Sequence, residues 1–594
     1  MLTWVPLLLA AAEAVTPSLT VDFGAVNEVT VRRGGARLAV YAGKGAERVL
    51  YTHARRDAFR PVAGAESFVP VGEEGYFREP MKFWAAFEQE RFHDYEARAS
   101  KWPVTPLAGG VTAVRGGEKV TWRGLEFDVV DTPGFTAGAV SYVATIDGKR
   151  IAFVGDLIYG DGQLLDIYSL QTGVEETKTR GYHGYGARAG ELIASLRRIV
   201  ALKPDLLVPA RGPVVRDPVA AMEKLIGRLH SFFWGHFEID ALRWYWGDDN
   251  WRIRAGKILG DLKGLSPMAM SEQRKLPDWV TPIQNSRLIH SASGAAFLID
   301  CGNARILAEV QKRAPKVEGI FITHYHDDHT DHAQAAANAL GAKVYASPEL
   351  GDILRNPRAY RMPAGTANAI TSLQAVPEGK QVRWHEFEFT YLFFPGQTLY
   401  HGGLLVKKDG GETLFFVGDS FTPSGLDEYC LQNRNLLDDD QGYLYCLRKL
   451  REFGQQPWLI NQHVEPMFRF NAEEMGRMEH TQRKRRALLA ELTPFPHPNF
   501  AVDEQWAWFE PYEARGKAGA TLTLPLRITN HAARTEVYRV NGTPVQLKAR
   551  ETKVVPVRVK VPRYAGKLWV ATADVEVAGV KLARWAEAMV LVER

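Results

Sequence analysis

Two stretches of this chain repeat one another in order. Residues 129–171 read VVDTPGFTAGAVSYVATIDGKRIAFVGDLIYGDGQLLDIYSLQ, and residues 391–432 read YLFFPGQTLYHGGLLVKKDGGETLFFVGDSFTPSGLDEYCLQ. Each runs from an apolar strand through Pro-Gly and a polar turn into a strand, a glycine-containing hairpin, a second strand and Val-Gly-Asp. Each then reaches Asp-x-Tyr-x-Leu-Gln, with Asp166, Tyr168, Leu170 and Gln171 in the first and Asp427, Tyr429, Leu431 and Gln432 in the second. Agreement of residue type and spacing over that length predicts an internal duplication of a whole domain. At roughly 100–200 residues per domain, a chain of 594 residues has room for it and for more.

The flanking segments follow the same plan. LIHSASGAAFLIDCG (288–302) reads as two strands joined by a glycine turn, followed by a helix, ARILAEVQKRA, and a strand, EGIFITH. In the first copy VTVRRGGARLAVYAG passes almost directly to ERVLYTHARRDAF, with the helix nearly absent. Further on, LLVPARGP (206–213) corresponds to PWLINQHVEP (457–466). Strands alternating with helices indicate layered α/β architecture. The stretch 217–280 is helical in period and rich in aromatics, and is expected to pack between the copies. From about 505 the pattern changes to alternation in short strands, as in TLTLPLRITN and TEVYRV, which predicts an all-β sandwich of immunoglobulin type. That tail holds one histidine, His531, and no cysteine, so no metal is expected there. The expected boundaries are a candidate signal segment 1–15, domains 16–230 and 283–495, a helical linker 231–282 and a β-sandwich 505–594.

Hydrophobic residues make up 46% of the chain, enough for sizeable cores. A net charge of +4 gives no basic surface for nucleic acid. The three cysteines, Cys301, Cys430 and Cys446, form no CxxC pair, which excludes a thiolate zinc site; buried thiols are favoured over a Cys430–Cys446 disulfide. The start, MLTWVPLLLAAAEAVTP, has an apolar run and Ala12-Glu13-Ala14 like a secretory signal, but the first basic residue is Arg32. Exported and cytoplasmic locations both stay open. No later run reaches the ~18 apolar residues of a membrane span.

The chemistry concentrates in FITHYHDDHTDH (321–332), where His324, His326, Asp328 and His329 follow a strand. A loop at a strand end can turn all four side chains into one cavity. The mixed imidazole and carboxylate set suits Zn²⁺, and Fe or Mn also fit. The alternative, a solvated polar loop, needs four ligand-type residues at this register by accident.

With these residues the chain resembles the metallo-β-lactamase superfamily, fully over roughly 285–490 and in degraded form over roughly 20–230. The resemblance implies an α/β fold, two copies of an αββα sandwich, with two metal ions in the active cleft. It assigns site one to His324, His326 and His401, site two to Asp328, His329 and His463, and a bridging role to Asp419. Asp300 takes a structural role. One position departs from the family's Pro-Gly-His-Thr: here it is Pro395-Gly396-Gln397-Thr398, with His401 four residues on. His401, Gln397 or water completes site one, and His401 is favoured because imidazole is the better zinc ligand. His332 is expected beside the site or at the surface. In the first copy the corresponding residues are His53, Arg55, Asp57, Ala58, Phe135, Ala139, Asp156 and Arg211. Most imidazoles are gone and two positions are cationic, which predicts a metal-free site with Asp57 and Asp156 paired to Arg55 and Arg211.

The resemblance implies a hydrolase that uses a hydroxide held between two Zn²⁺ ions, with Asp328 and Asp419 as the catalytic carboxylates. Esters, thioesters, lactones, amides and phosphodiesters all suit that chemistry, and a small-molecule substrate is expected. Asn433 and Arg434 are the candidates for orienting it; Asp427 and Tyr429 recur in the inactive copy and read as structural. The rival reading is a metal-stabilised binding or scaffold protein without turnover.

Overall fold

The computed structural model describes residues 12–93, 101–177, 186–362, 364–428, 438–439, 441–495 and 497–593. Residues up to Pro209 form two facing sheets. The first has seven strands in chain order, from Ala12–Thr16 to Val111–Val114. Its early strands are antiparallel, and pairing turns parallel from Ala36–Val40 onward. The second has five, in the order Leu206–Pro209, Lys149–Gly155, Val140–Ile146, Leu125–Asp131, Lys119–Trp122, with only the Leu206–Pro209 pairing parallel. Val29, Val31, Leu38 and Leu50 meet Phe127, Tyr142, Phe153 and Val208 between the sheets. Helix Arg188–Ala201 covers the outer face through Leu192, Leu196 and Ile199.

The second half repeats these pairings. A six-stranded sheet runs from Val280–Ile283 through Ser286–His290, Ala295–Ile299, Lys316–Phe321 and Lys343–Ala346 to Leu373–Ala375, again antiparallel and then parallel. The facing sheet places Trp458–Ile460 parallel to Thr413–Phe416, then Gly402–Lys408, Phe387–Phe393 and Gln381–Trp384 antiparallel. Phe297, Phe321, Phe389, Leu404 and Phe416 fill the space between. The helix expected between Ala295–Ile299 and Lys316–Phe321 is Ala304–Arg313, capped by Asn303, whose side chain accepts from the amides of Arg305 and Ile306. No helix occupies residues 41–47 in the first half.

Helix Pro218–Glu238, with Asp217 at its N-cap, packs against Arg188–Ala201 of the first half and Ala472–Leu492 of the second. It runs uninterrupted across residues 230 and 231, so the helical segment begins earlier than the expected linker: Asp217 and Pro218 are a strong start signal with no break behind them. A second helix, Leu242–Leu259, follows and is kinked at Gly247. The C-terminal region is two sheets, one of three strands and one of five, closing on Trp506, Leu526, Tyr538, Val575 and Trp585. Buried arginines tie the parts together. Arg56 donates to the carbonyls of Arg584 and Trp585 at 2.7 Å and pairs with Glu587. Arg91 donates to the carbonyls of Tyr360 and Arg358 and pairs with Glu513 at 3.1 Å. Cys301 and Cys446 are buried free thiols, and Cys430 lies outside the described residues. Among the described residues no helix is long and apolar enough to cross a membrane.

Candidate metal centre

Parallel pairing brings the C-terminal ends of neighbouring strands to one edge, and the histidine motif emerges there. Strand Lys316–Phe321 leads into Thr323 and His324, and the single turn Asp327–Thr330 carries Asp328 and His329. Asp300, at the end of the adjacent strand and in left-handed backbone (φ 61°), is fully buried. Its carboxylate accepts from the Thr323 amide and hydroxyl, both at 2.8 Å, and from His329 Nδ1 at 2.9 Å. That bond places a proton on His329 Nδ1 and turns Nε2 towards Asp328 and Asp419. Burial pushes the Asp300 carboxyl up, against the pull of His329. Asp300→Asn is expected to weaken metal binding about 10–100-fold, measured by chelator competition; unchanged affinity would remove Asp300 from the site's support.

His329 Nε2 lies 3.3 Å from Asp419 Oδ2, 3.5 Å from Asp328 Oδ2 and 3.2 Å from His463 Nε2. His463 Nε2 is 3.1 Å from Asp328 Oδ2 and 3.2 Å from Asp419 Oδ2. Ligand atoms about 2.0–2.1 Å from a tetrahedral zinc stand about 3.3–3.4 Å apart, so His329 and His463 have the spacing of one coordination shell with Asp328, and equally with Asp419. Although burial opposes it, the Asp419 and Asp328 carboxylates raise His463 to about 10.

Beside this group, His324 Nε2 lies 3.8 Å from Asp419 Oδ2 and 2.9 Å from His326 Nδ1, while its Nδ1 meets the Thr323 hydroxyl at 3.0 Å. His401 is fully buried, its ring stacked on that of His324 at 4.9 Å and 12°. Its Nε2 is 3.4 Å from Ser420 Oγ, and burial lowers its pKa to about 3, which keeps the imidazole neutral. Gln397 is also buried and donates through Nε2 to Asp427 Oδ2 at 3.2 Å. Gln397 Oε1, His401 Nδ1, Asp419 Oδ1 and Asp427 Oδ1 are buried without a hydrogen-bond partner. Each such atom costs about 1–3 kcal/mol, and three of them are acceptor oxygens that a cation would satisfy. The donor set fits divalent metal. His332 is partly buried just before helix Ala333–Leu340, and among the described residues no ligand cluster includes it. Asn433, Arg434 and Tyr429 lie outside the described residues.

Three supporting residues have little signature in the sequence. Asn285 donates to the Asp328 carbonyl at 2.6 Å and to its carboxylate at 3.0 Å. Arg287 donates to the carbonyls of Asn461 and Val464, flanking His463, at 2.9 and 2.8 Å. Tyr245, from the kinked linker helix, accepts from Asn461 Nδ2 at 3.0 Å and packs edge-on to His463. Asn461, which the sequence reading did not single out, carried a usable signal: its side chain accepts from the His463 amide at 2.6 Å, the two-residue turn that asparagine favours.

The first half holds charge pairs at the matching positions. Arg55 grips Asp57 with two bonds of 3.0 Å and reaches Ser169 at 2.7 Å. Arg211 meets Asp57 at 2.9 Å and Asp156 at 3.2 Å, and His53 Nε2 meets Asp156 at 3.0 Å. The Thr52 hydroxyl meets His53 Nδ1 at 2.9 Å, as Thr323 meets His324. Burial alone would raise Asp57 and Asp156, but Arg211 chiefly, with Arg55 and His53, holds both low. Removing one partner of such a buried set costs about 3–5 kcal/mol. Arg211→Ala should therefore lower the urea midpoint sharply while leaving metal content unchanged; loss of metal instead would place a metal site in this half.

Paired sheets covered by helices, with imidazoles and carboxylates gathered at strand ends, define an α/β protein with a candidate metal centre. The family model for the metallo-beta-lactamase superfamily matches residues 58–211 and 281–443, more than half of the chain. The protein belongs to that superfamily, whose members bind divalent metals. It is 32% identical over 142 residues to a UPF0173 metal-dependent hydrolase of Myxococcus xanthus (strain DK1622), covering 22% of this chain and 48% of that protein. A UPF0173 metal-dependent hydrolase of Methylocella silvestris is 29% identical over 133 residues, 21% of this chain and 56% of that protein. The chain thus spans about half the length of the curated relatives it matches. Among solved structures, a metallo-beta-lactamase family protein from Thermus thermophilus shares 18% identity at a TM-score of 0.25, covering 37% of this chain and 78% of that one.

Proposed function

We propose that the protein is a metal-dependent hydrolase acting on a small molecule with an ester, thioester, lactone, amide or phosphodiester bond. The observation that carries this reading is the cluster in which His329 Nε2 and His463 Nε2 lie 3.2 Å apart and each stands 3.1–3.5 Å from Asp328 Oδ2 and Asp419 Oδ2. Asp328, His329 and His463 would hold one ion, His324, His326 and His401 the other, and Asp419 would bridge them. A divalent metal bound there would lower the pKa of water and polarise the scissile bond. The chain's part is to fix the imidazoles: Asp300 holds His329, Thr323 holds His324, and Asn461 with Arg287 holds the loop of His463. His463 and Asp328 are partly exposed at the rim, so substrate enters from their side. We read the first half as a duplicate that has exchanged its ligands for Arg55 and Arg211, and the C-terminal region as an Ig-like sandwich docked on it through Arg56.

A panel of chromogenic esters, lactones and phosphodiesters, with and without chelator, tests the proposal. Turnover that chelator removes and Zn²⁺ restores is expected. Stoichiometric metal with no turnover on any member would favour the scaffold reading.

A further inference from the structure

The residue before the motif aspartate is charged in both halves. Setting His53, Arg55 and Asp57 against His324, His326 and Asp328 places Arg56 opposite Asp327. Each of the two reaches out of its own half. The Arg56 side chain donates to the carbonyls of Arg584 and Trp585 in the C-terminal region. The Asp327 side chain, 7% exposed, is met at Oδ2 by His93 Nδ1 of the first half, at 3.0 Å. A carboxylate accepts only, so the imidazole proton sits on Nδ1. His93 Nε2 stands 3.9 Å from Asp331 Oδ2.

His93 is delivered to a fixed place. It follows helix Pro80–Glu90 directly after Arg91 and Phe92, and both of these are seated on the second half. Arg91 donates to the carbonyls of Tyr360 and Arg358 at 2.8 and 3.1 Å. Phe92 is buried and lines a small apolar recess with Tyr325, Tyr360 and Met362. Tyr325 is the residue between His324 and His326.

Asp327 passes that placement on. Its Oδ1 accepts from the Asp328 amide at 2.8 Å, and its own amide donates to the Ala364 carbonyl at 2.9 Å. Asp328 and His329 lie in the same single turn, Asp327–Thr330. One carboxylate therefore joins His93, on one oxygen, to the backbone of a candidate metal ligand, on the other. The His93 side chain is 54% exposed, and a pair so open to water adds little to stability. What it sets is the direction of the turn, and partners that orient ligands govern how tightly a metal is held.

We propose that the first half serves the centre of the second: His93 is a positioning residue that fixes the turn of Asp328 and His329 through the Asp327 carboxylate. This rests on the metal-binding part of the hydrolase reading and gives a role to the half that has exchanged its imidazoles.

The test is Zn²⁺ affinity of the full-length protein by chelator competition, beside thermal melting of the metal-free protein. His93→Ala is expected to weaken one of the two ions about tenfold, the lower end for partners of metal ligands, with little change in metal-free melting. His93→Asn, whose amide nitrogen can take the place of Nδ1, should restore most of the loss. Asp327→Ala approaches the contact from the second half and should weaken the same ion at least as much; adding His93→Ala to it should cost nothing further, because the two act as one unit. Unchanged affinity in either single variant, whether or not melting falls, overturns the proposal while leaving the metal reading in place. So does a loss that His93→Asn does not restore, or losses that add in the double variant. Wild type that binds no Zn²⁺ overturns the metal reading itself and this role with it.

Discussion

Asp419→Ala lowers turnover at least about a thousandfold, about 4 kcal/mol of transition-state stabilisation, and releases metal. Asp419 Oδ2 reaches imidazoles on both sides of the centre, 3.2 Å from His463 Nε2, 3.3 Å from His329 Nε2 and 3.8 Å from His324 Nε2. Removing it leaves those imidazoles without the carboxylate that joins them and takes one negative charge from the cage. The measurements are kcat on any substrate found in the panel and metal content after gel filtration. Near-normal turnover with full metal content would give the bridging role to another group, Asp427 being the carboxylate close at hand. Asp419→Asn keeps the size and one acceptor oxygen, so it separates lost charge from lost packing.

The second large effect concerns His401 and Gln397. His401→Ala is expected to lower metal content towards one ion per chain and to reduce turnover by at least about a hundredfold, as loss of one zinc ligand from three implies. Gln397→Ala should do much less, because an amide oxygen is a far weaker zinc ligand than an imidazole, even though only Nε2 of Gln397 is tied to Asp427 and its Oε1 has no partner. The two residues are equally buried, so burial does not distinguish them. The neutral, stacked imidazole of His401 against that of His324 is what favours it. The reverse pattern, with His401→Ala keeping both ions and Gln397→Ala losing one, would transfer the position to Gln397. Co²⁺ substitution adds a check: loss of a nitrogen ligand shifts the visible absorption of the bound ion, whereas loss of a distant packing contact does not.

Much of this architecture was legible because its determinants are local. The Pro-Gly, hairpin and Val-Gly-Asp succession places Gly155 and Gly418 in the same left-handed conformation, φ 60° and 54°. A side chain at Gly418 would run into His401 and Thr323, and one at Gly155 into Thr52 and His53. The repetition of glycine there reports the same close approach twice. The alternation of residues 521–529 likewise shows directly in their burial, each second residue facing the core. Ligand types were readable too, since His324, His326, Asp328 and His329 leave a single strand end together.

Other features depend on which distant segments meet. Nothing in the spacing of Tyr245 shows that a kinked linker helix carries it to His463, and nothing in Asn285 shows that a hairpin turn lays it on Asp328. The Arg56 anchor joins residues more than 500 positions apart. The sequence by itself determined the succession of strands and helices along the chain, the residue types gathered at the candidate centre, and the presence of Arg55 and Arg211 where an imidazole is expected in the first half. These follow from residue type and near-neighbour spacing, which backbone geometry translates directly into face and direction. Only the tertiary structure decided that Asp300 orients His329, that Asn285 and Arg287 brace the centre, and that Arg56 ties the first half to the strand of Trp585. Those contacts are set by how sheets and helices from separate parts of the chain pack.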